Sequence, residues 1–211
     1  MEPRMNAPNE IDVRRIRGVV FDAFGTVMHN DPSDMNHYWL SSLDRNQWRD
    51  IRLARMRGTL SDEDLLRMGD RENAPTLEQY RAMAHKNAES TRLYSDVPPV
   101  LDAVVRQGYP IAVLSNAVLA SAPVITRLMS PWTEHVLVSA LLGVTKPDQA
   151  AFRAAGQALD LPLNRLLMIG DGPRSDMRGA RDADLQAVRI DRRGEPPHGW
   201  TTLDPLLELL T

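Results

Sequence analysis

Residues 17–26 read Arg-Gly-Val-Val-Phe-Asp-Ala-Phe-Gly-Thr, an apolar run that ends abruptly in an aspartate. The pattern predicts a strand buried on both faces, because such strands read as continuous apolar runs. Asp22 would then lie at the carboxyl end of that strand, where open α/β sheets bind ligands. Gly25 allows the sharp turn that follows. The stretch is open to two interpretations: Asp22 is a carboxylate nucleophile or metal ligand, or it only starts an Asx-type turn.

Composition narrows the class of protein. The chain has 211 residues, a formal net charge of −3 and no cysteine, so it has no basic footprint for nucleic acid, no disulfides and no thiolate metal site. The polar residues 1–9 lack the apolar core of a signal peptide and predict a loose arm. The longest apolar run, residues 109–125, is interrupted by prolines and polar residues, which argues against a membrane span. We therefore expect a cytoplasmic protein with no membrane partner.

The chain divides by its periodicity. Residues 34–94 show helical periodicity and no convincing strand, whereas strands and helices alternate from about residue 95 onward, with strands near 110–114, 135–138, 166–169 and 187–190. This alternation predicts an α/β fold with a doubly wound parallel sheet, a Rossmann-like core. We expect that core to comprise residues 1–30 and 95–211, with an all-helical cap inserted at 31–94.

Polar residues follow three of the predicted strands. Asp22 follows the first strand, Ser115 and Asn116 follow the second, and Asp171 follows a later one. A parallel sheet brings these carboxyl ends to one edge, with Asp176 one turn into the next helix. A close cluster of carboxylates is unfavourable unless a cation or protons neutralise it, and a set of oxygen ligands favours Mg²⁺.

Lys146 lies in the loop before another predicted helix, earlier in the chain than Asp171, and its ammonium offers a point charge to the same edge of the sheet. It is one of only two lysines in the chain. Taken alone, Ser115-Asn116 is more typical of a helix cap, Lys146 of a solvated loop charge, and Gly170-Asp171 of a strand-to-turn junction. It is their order and their placement at strand ends that favour a site.

Four motifs in this order resemble the haloacid dehalogenase superfamily, whose members are mostly Mg²⁺-dependent phosphatases. They are Phe-Asp-Ala-Phe-Gly-Thr at 21–26, Leu-Ser-Asn at 114–116, Ser139 with Gly-Val-Thr-Lys-Pro-Asp at 143–148, and Ile-Gly-Asp-Gly-Pro-Arg-Ser-Asp at 169–176. The helical insert resembles the cap of that family. The resemblance implies a hydrolase that acts on a small-molecule substrate.

The resemblance also implies roles for individual residues. Asp22 would be the nucleophile, forming a phosphoaspartyl intermediate, with Lys146 orienting it. Thr26, Ser115, Asn116 and Lys146 would hold the transferred phosphoryl group. The metal would be bound by Asp22, the backbone carbonyl of Phe24 and Asp171, with Asp176 acting through water. In such a site, Mg²⁺ and the Lys146 ammonium would neutralise the negative charge that otherwise keeps a carboxylate from approaching a phosphate.

The sequence departs from the family at Phe24. Phosphatases of the family usually carry a second aspartate there as general acid and base, a contribution of about 10²–10⁴-fold. One interpretation is a phosphatase that uses a good leaving group, or His29 as a substitute acid. Another is a 2-haloacid dehalogenase, in which halide needs no proton and Arg52 or Arg55 binds a carboxylate. The retained Asp171 and Asp176 argue against that alternative.

Two further interpretations stay open. A phosphonate hydrolase would need a cap lysine, and the only one is Lys86, far from the family's position. A catalytically weak or inactive member would bind a ligand or a protein instead. We favour the phosphatase or phosphotransferase, as a monomer or homodimer, and the sequence does not identify the substrate.

Overall fold

A computed structural model describes residues 11–30, 37–194 and 199–211. The predicted arm at 1–9 lies outside these ranges. Within them the strands are β1 (Gly18–Phe21), β2 (Met28–His29), β3 (Arg92–Leu93), β4 (Ile111–Ser115), β5 (Val136–Val138), β6 (Leu166–Gly170) and β7 (Gln186–Arg189). Five of them form a parallel sheet in the order β5-β4-β1-β6-β7. The predicted doubly wound α/β fold is confirmed.

The α-helices lie between and after these strands. They are α1 (Arg45–Met56), α2 (Asp62–Leu66), α3 (Leu77–Glu89), α4 (Val97–Arg106), α5 (Ala122–Met129), α6 (Ser139–Leu142), α7 (Gln149–Leu159), α8 (Gly179–Asp182) and α9 (Asp204–Leu210). None of the described helices is long and apolar enough to cross a membrane.

Strand β1 occupies the centre of the sheet, and its side chains alternate between two cores. Val19 and Phe21 join a cluster built with α4, α5 and α9, while Val20 faces a cluster built with α7 and α8. This alternation follows from the two-residue period of a strand. Because all four residues of β1 are buried, the apolar run that predicted the strand is explained by packing on both faces.

Helices α1 to α3 follow β2 and precede β3 in the chain, and they have their own small core. Trp39, Leu40, Leu65 and Tyr80 are buried there. Two of the helices begin with capping boxes, in which Asp44 pairs with Gln47 and Thr76 pairs with Gln79. The exact division into a core of residues 1–30 and 95–211 and a cap of 31–94 stays a prediction.

The expectation of no strand within 34–94 was wrong. Strand β3 pairs antiparallel with β2, so that Met28 lies opposite Leu93 and His29 lies opposite Arg92. We call this pair the ribbon. Strands of two residues carry too little periodicity to be recognised in the sequence, and pairing alone defines them. The ribbon joins the two ends of the helical insert.

The segment that follows β6 also differs from expectation. The sequence predicts Asp176 one turn into an α-helix, but residues Pro173–Arg178 form a π-helical turn that continues into α8. Such turns are frequent at functional sites. Here the turn brings Asp176 under the end of β6.

Candidate active site

Three neighbouring strands deliver polar side chains to one edge of the sheet. Asp22 follows β1, Ser115 ends β4 and Asp171 follows β6, and β1 lies between the other two. The backbone N–H of Asp22 donates to the carbonyl of Ile169 at 2.9 Å, so pairing of the sheet continues up to the aspartate. The convergence expected from a parallel sheet is therefore present in the structure.

Lys146 lies between two carboxylates at the floor of this edge. Its Nζ is 2.7 Å from Asp22 Oδ1 and 2.7 Å from Asp176 Oδ1. The lysine side chain is only 1% exposed. It donates a hydrogen bond to Asp22, whereas the contact with Asp176 is an ion pair outside hydrogen-bond alignment. One buried ammonium thus neutralises half of the charge of the two carboxylates that it touches.

The side chain of Asn116 holds the backbone of Lys146. Asn116 Nδ2 donates to the carbonyl of Lys146 at 2.8 Å, and the N–H of Lys146 donates to Asn116 Oδ1 at 2.8 Å. Both ends of the amide are thereby engaged with the loop before α7. The Asn116 side chain, which was expected to hold phosphate, thus fixes Lys146 in place, and a phosphate contact would fall to the backbone of Asn116.

Asp176 has both carboxylate oxygens engaged. Oδ1 faces Lys146, and Oδ2 accepts the backbone N–H of Gly172 at 2.8 Å. Ligand oxygens of Asp22, Asp171 and Asp176 all lie within 4.8 Å of one another. The cluster is oxygen-only, which suits a hard divalent cation such as Mg²⁺. Asp22 and Asp176 are buried and Asp171 is exposed, so the cluster opens to solvent on the side of Asp171.

Gly25 leaves the space that Asp171 occupies. Its φ is +78°, and a Cβ built on it would lie 2.4 Å from Asp171 Oδ2. A side chain at residue 25 would therefore be strained in the backbone and would overlap the carboxylate. The turn after β1 and the turn after β6 approach this closely because residue 25 has no side chain.

Burial and mutual repulsion set the electrostatics of the cluster. The pKa of Asp22 is raised to about 7 because its side chain is buried; Lys146 opposes this rise, and the charge of Asp176 adds to it. Burial alone would lower the pKa of Lys146, but the two carboxylates outweigh it and raise that pKa above the ordinary lysine value. Burial, with the charge of Asp176, also raises the pKa of Asp171. The site favours additional positive charge.

These side chains line a cavity of about 530 Å³ between the sheet and helix α1. Its lining consists of Asp22, Phe24, Gly25, Arg52, Met56, Ser115, Asn116, Lys146, Asp171, Ser175 and Asp176. Arg52 and Met56 are four residues apart on α1, so one face of that helix covers the cavity. Arg55 is turned elsewhere, because it pairs with Asp62 at 2.9 Å and lies over the ring of Tyr80.

Some predicted residues do not line this cavity. Thr26 is fully buried behind the loop, and its Oγ1 has no hydrogen-bond partner among the described residues. His29 belongs to β2, with its ring 4.8 Å from that of Tyr94. Lys86 lies on α3 and is also outside the cavity lining. Ser175 and Met56 were missed, because neither residue type signals chemistry without the fold.

The four-motif pattern can now be compared with known proteins. Residues 16–184 match the family model described as haloacid dehalogenase-like hydrolase. The chain belongs to that family. The expected resemblance is thereby confirmed at the level of the family and its hydrolase character. The match spans both the carboxylate-bearing edge of the sheet and the helical insert.

Individual relatives include phosphatases and dehalogenases. The chain is 34% identical over 106 residues to a phosphoserine phosphatase of Thermus thermophilus, a match that covers 49% of this chain and 43% of that protein. Its fold is similar to that of a phosphatase from Thermococcus onnurineus, with a TM-score of 0.69 and 19% identity; the match covers 92% of this chain and 98% of that one. A 2-haloacid dehalogenase from Pseudomonas syringae has a similar fold, with a TM-score of 0.67 and 20% identity; the match covers 92% of this chain and 98% of that one.

These similarities differ in reach. The chain spans about half the length of the curated relatives it matches. The solved structures share the fold at identities of 20% or below.

Proposed function

We propose that this protein is a Mg²⁺-dependent phosphatase or phosphotransferase that acts on a small phosphorylated molecule through Asp22. The observation that carries the proposal is the cluster of Asp22, Asp171 and Asp176 around Lys146 in a covered cavity. Similarity to a phosphoserine phosphatase supports the same reaction class. The family also contains dehalogenases, but an oxygen cluster with a spare carboxylate is suited to a cation and a phosphate.

The donor set fits Mg²⁺. Asp22 and Asp171 would bind the ion directly, together with the backbone carbonyl of Phe24. Asp176 would act through water, which agrees with its two oxygens being engaged by Lys146 and Gly172. When bound, the ion supplies positive charge that polarises the phosphoryl group and offsets the negative charge of the nucleophile.

The residues of the chain account for the transfer itself. Asp22 Oδ attacks the phosphorus and forms a phosphoaspartyl bond, while the bond to the leaving oxygen breaks and its electron pair departs with that oxygen. Lys146 orients the carboxylate and stabilises charge on the transferred group. Ser115 and the backbone of Asn116, both at the cavity wall, would complete the phosphate contacts, whereas the buried Thr26 lies behind the loop. Water then attacks the phosphoaspartate and releases phosphate and Asp22.

Phe24 limits which leaving groups can depart. It lines the cavity where a proton donor would be needed, and phenylalanine transfers no proton. Among the residues described as lining the cavity, the remaining carboxyl and ammonium groups all belong to the charged cluster. We therefore expect substrates whose leaving oxygen is already a weak base, such as acyl or aryl phosphates.

Arg52 suggests what lies at the other end of the substrate. It lines the cavity from α1 and makes no hydrogen bond or ion pair within the described part of the chain. Next to it, Met56 and Phe24 give the cavity an apolar flank. We propose that the guanidinium binds a second negative group, so that the substrate class is a small phosphorylated acid.

A binding experiment tests this substrate class without turnover. Phosphonoacetate and its neutral analogue phosphonoacetamide are titrated by calorimetry in the presence of Mg²⁺. The wild type should prefer the acid by about 10-fold, and Arg52→Gln should remove that preference. Arg49→Gln on the same helix is the matched control, because Arg49 pairs with Asp50 in solvent and lies outside the cavity. Equal binding of the two ligands to the wild type would contradict the assignment.

Turnover tests the reaction. Acetyl phosphate and 4-nitrophenyl phosphate should be hydrolysed with Mg²⁺ and not in excess chelator, and Asp22→Asn should abolish the activity. Turnover at an equal rate in chelator would remove the proposal. The specific observation that favours a dehalogenase is the apolar Phe24. That alternative predicts metal-independent chloride release from 2-chloropropionate, and no hydrolysis at all would favour a binding role.

The remaining expectations stand as proposals. A negative net charge supports a small-molecule partner over nucleic acid. The absence of cysteine is compatible with residence in the cytoplasm. The protein is expected to be a monomer or homodimer, which light scattering would establish.

A further inference from the structure

Arg192 lies in the segment after β7 and outside the cavity lining, behind residues 22–27 between β1 and β2, which we call the catalytic loop. Its Nε and Nη2 both donate to the backbone carbonyl of Thr26, at 3.0 and 2.6 Å. Its Nη1 lies 2.7 Å from Asp96 Oδ2. The Arg192 side chain is 8% exposed and that of Asp96 is 12% exposed. A guanidinium that donates two hydrogen bonds to one carbonyl and a third to a carboxylate is fixed in orientation.

The partners of Arg192 come from both ends of the helical insert. Thr26 closes the turn after Asp22 and is followed almost at once by β2. Tyr94 and Asp96 follow β3, and the guanidinium of Arg192 stacks over the Tyr94 ring at 4.2 Å. The N–H of Tyr94 donates to the carbonyl of Val27. The Arg192 side chain therefore contacts both the catalytic loop and the segment after β3, where the chain leaves the insert.

The C-terminal segment completes this junction. The backbone N–H of Leu203 donates to Asp96 Oδ2 at 2.6 Å, and Arg192 Nη1 also reaches the carbonyl of Thr201 at 3.4 Å. Leu203 is fully buried in the core against which α4 and α9 pack. The junction is thus anchored to the rigid part of the molecule.

We infer that Arg192 is a positioning residue, which holds the end of the catalytic loop and both ends of the insert in one register. Fixing the Thr26 carbonyl fixes the peptide plane between Thr26 and Val27, four residues from Asp22. The Thr26 side chain gives the loop no such support, because its buried hydroxyl has no hydrogen-bond partner among the described residues. The effect on turnover rests on the proposed function, whereas the effect on the loop does not.

Lysine and methionine at residue 192 separate positioning from simple support of the fold. Arg192→Lys keeps a cation beside Asp96 but loses the paired hydrogen bonds to Thr26, because an ammonium has no planar fork. Arg192→Met loses both. Arg55→Met is the matched control, since Arg55 makes the same kind of contacts within the insert: an ion pair with Asp62 at 2.9 Å and a place over the Tyr80 ring at 5.4 Å.

Two measurements are made on each variant: native-state hydrogen exchange of residues 22–29, and the kcat and KM for acetyl phosphate. Both Arg192 variants should speed exchange in that loop and lower kcat by about 100-fold with little change in KM, as expected when a reacting group is displaced slightly. Arg55→Met should leave loop exchange unchanged. Wild-type kcat or unchanged loop exchange in Arg192→Lys would overturn the inference. A wild type without phosphatase activity, but with faster loop exchange in the variants, would contradict only the proposed reaction.

Discussion

Replacing Lys146 by methionine should lower the free energy of unfolding far more than the same replacement at Lys86, the other lysine of the chain. The side chain is buried with its Nζ 2.7 Å from both Asp22 and Asp176. Methionine has a similar length but no charge, so two buried carboxylates lose their shared cation. Removing one partner of a buried ion pair costs about 3–5 kcal/mol.

The pH dependence of this loss follows from Asp22. In the wild type its pKa is raised to about 7, well above its value in an unfolded chain, and without the ammonium it would rise further. Above pH 7 the wild-type carboxylate is ionised while that of the variant still holds a proton in the folded state. The variant therefore loses a further ~1.4 kcal/mol for each pH unit in this range. Lys146 itself does not titrate here, because its pKa is raised above the ordinary lysine value.

Urea unfolding at pH values on both sides of 7 measures the effect. Lys86→Met is the matched control, because Lys86 is the other lysine of the chain and is exposed on α3. Its free energy of unfolding should change by no more than about 0.5 kcal/mol. Equal urea midpoints for the two variants, or a deficit in Lys146→Met that does not grow with pH, would refute the reasoning.

Three further outcomes are expected. Phe24→Asp should raise phosphate release from an unactivated phosphomonoester by about 10²–10⁴-fold, as measured by a phosphate assay, and an unchanged rate in a folded variant would mean that the cavity is adapted to phenylalanine. Asn116→Ala should lower the free energy of urea unfolding by about 1–3 kcal/mol and reduce turnover, since it releases the backbone of Lys146; a wild-type midpoint would argue against that role. The thermal stabilisation given by Mg²⁺ should grow as pH rises through about 7, because Asp22 must lose its proton to bind the ion, and Asp22→Asn should flatten this dependence.

The sheet was predictable because short stretches of sequence, each read by itself, indicate its strands and the helices between them. Runs such as residues 18–21 are apolar on both faces, and the alternation of strands with helices leaves only a parallel arrangement. The convergence of Asp22, Ser115 and Asp171 followed from that topology alone. The ribbon could not be foreseen, since two-residue strands exist only through their partners.

Side-chain partners were less predictable than positions. The sequence places Asn116 beside the site, but its engagement with the backbone of Lys146 depends on a loop thirty residues away in the chain. Arg192 gave no signal, because one arginine among many has no pattern until its partners are folded around it. Likewise, Arg52 and Arg55 are indistinguishable in the sequence, and the pairing of Arg55 with Asp62 separates them.

The ribbon has a consequence for how such a chain can diversify. Met28 and Leu93 lie opposite each other, so the polypeptide leaves the sheet and returns to it at a single point. We expect a change in length between these residues to leave the order of the five parallel strands unaltered, because none of those strands lies between them. The sheet that carries the carboxylates is thus joined to the helical insert through one short ribbon, and a turn that closes the ribbon would be the place to graft a different insert.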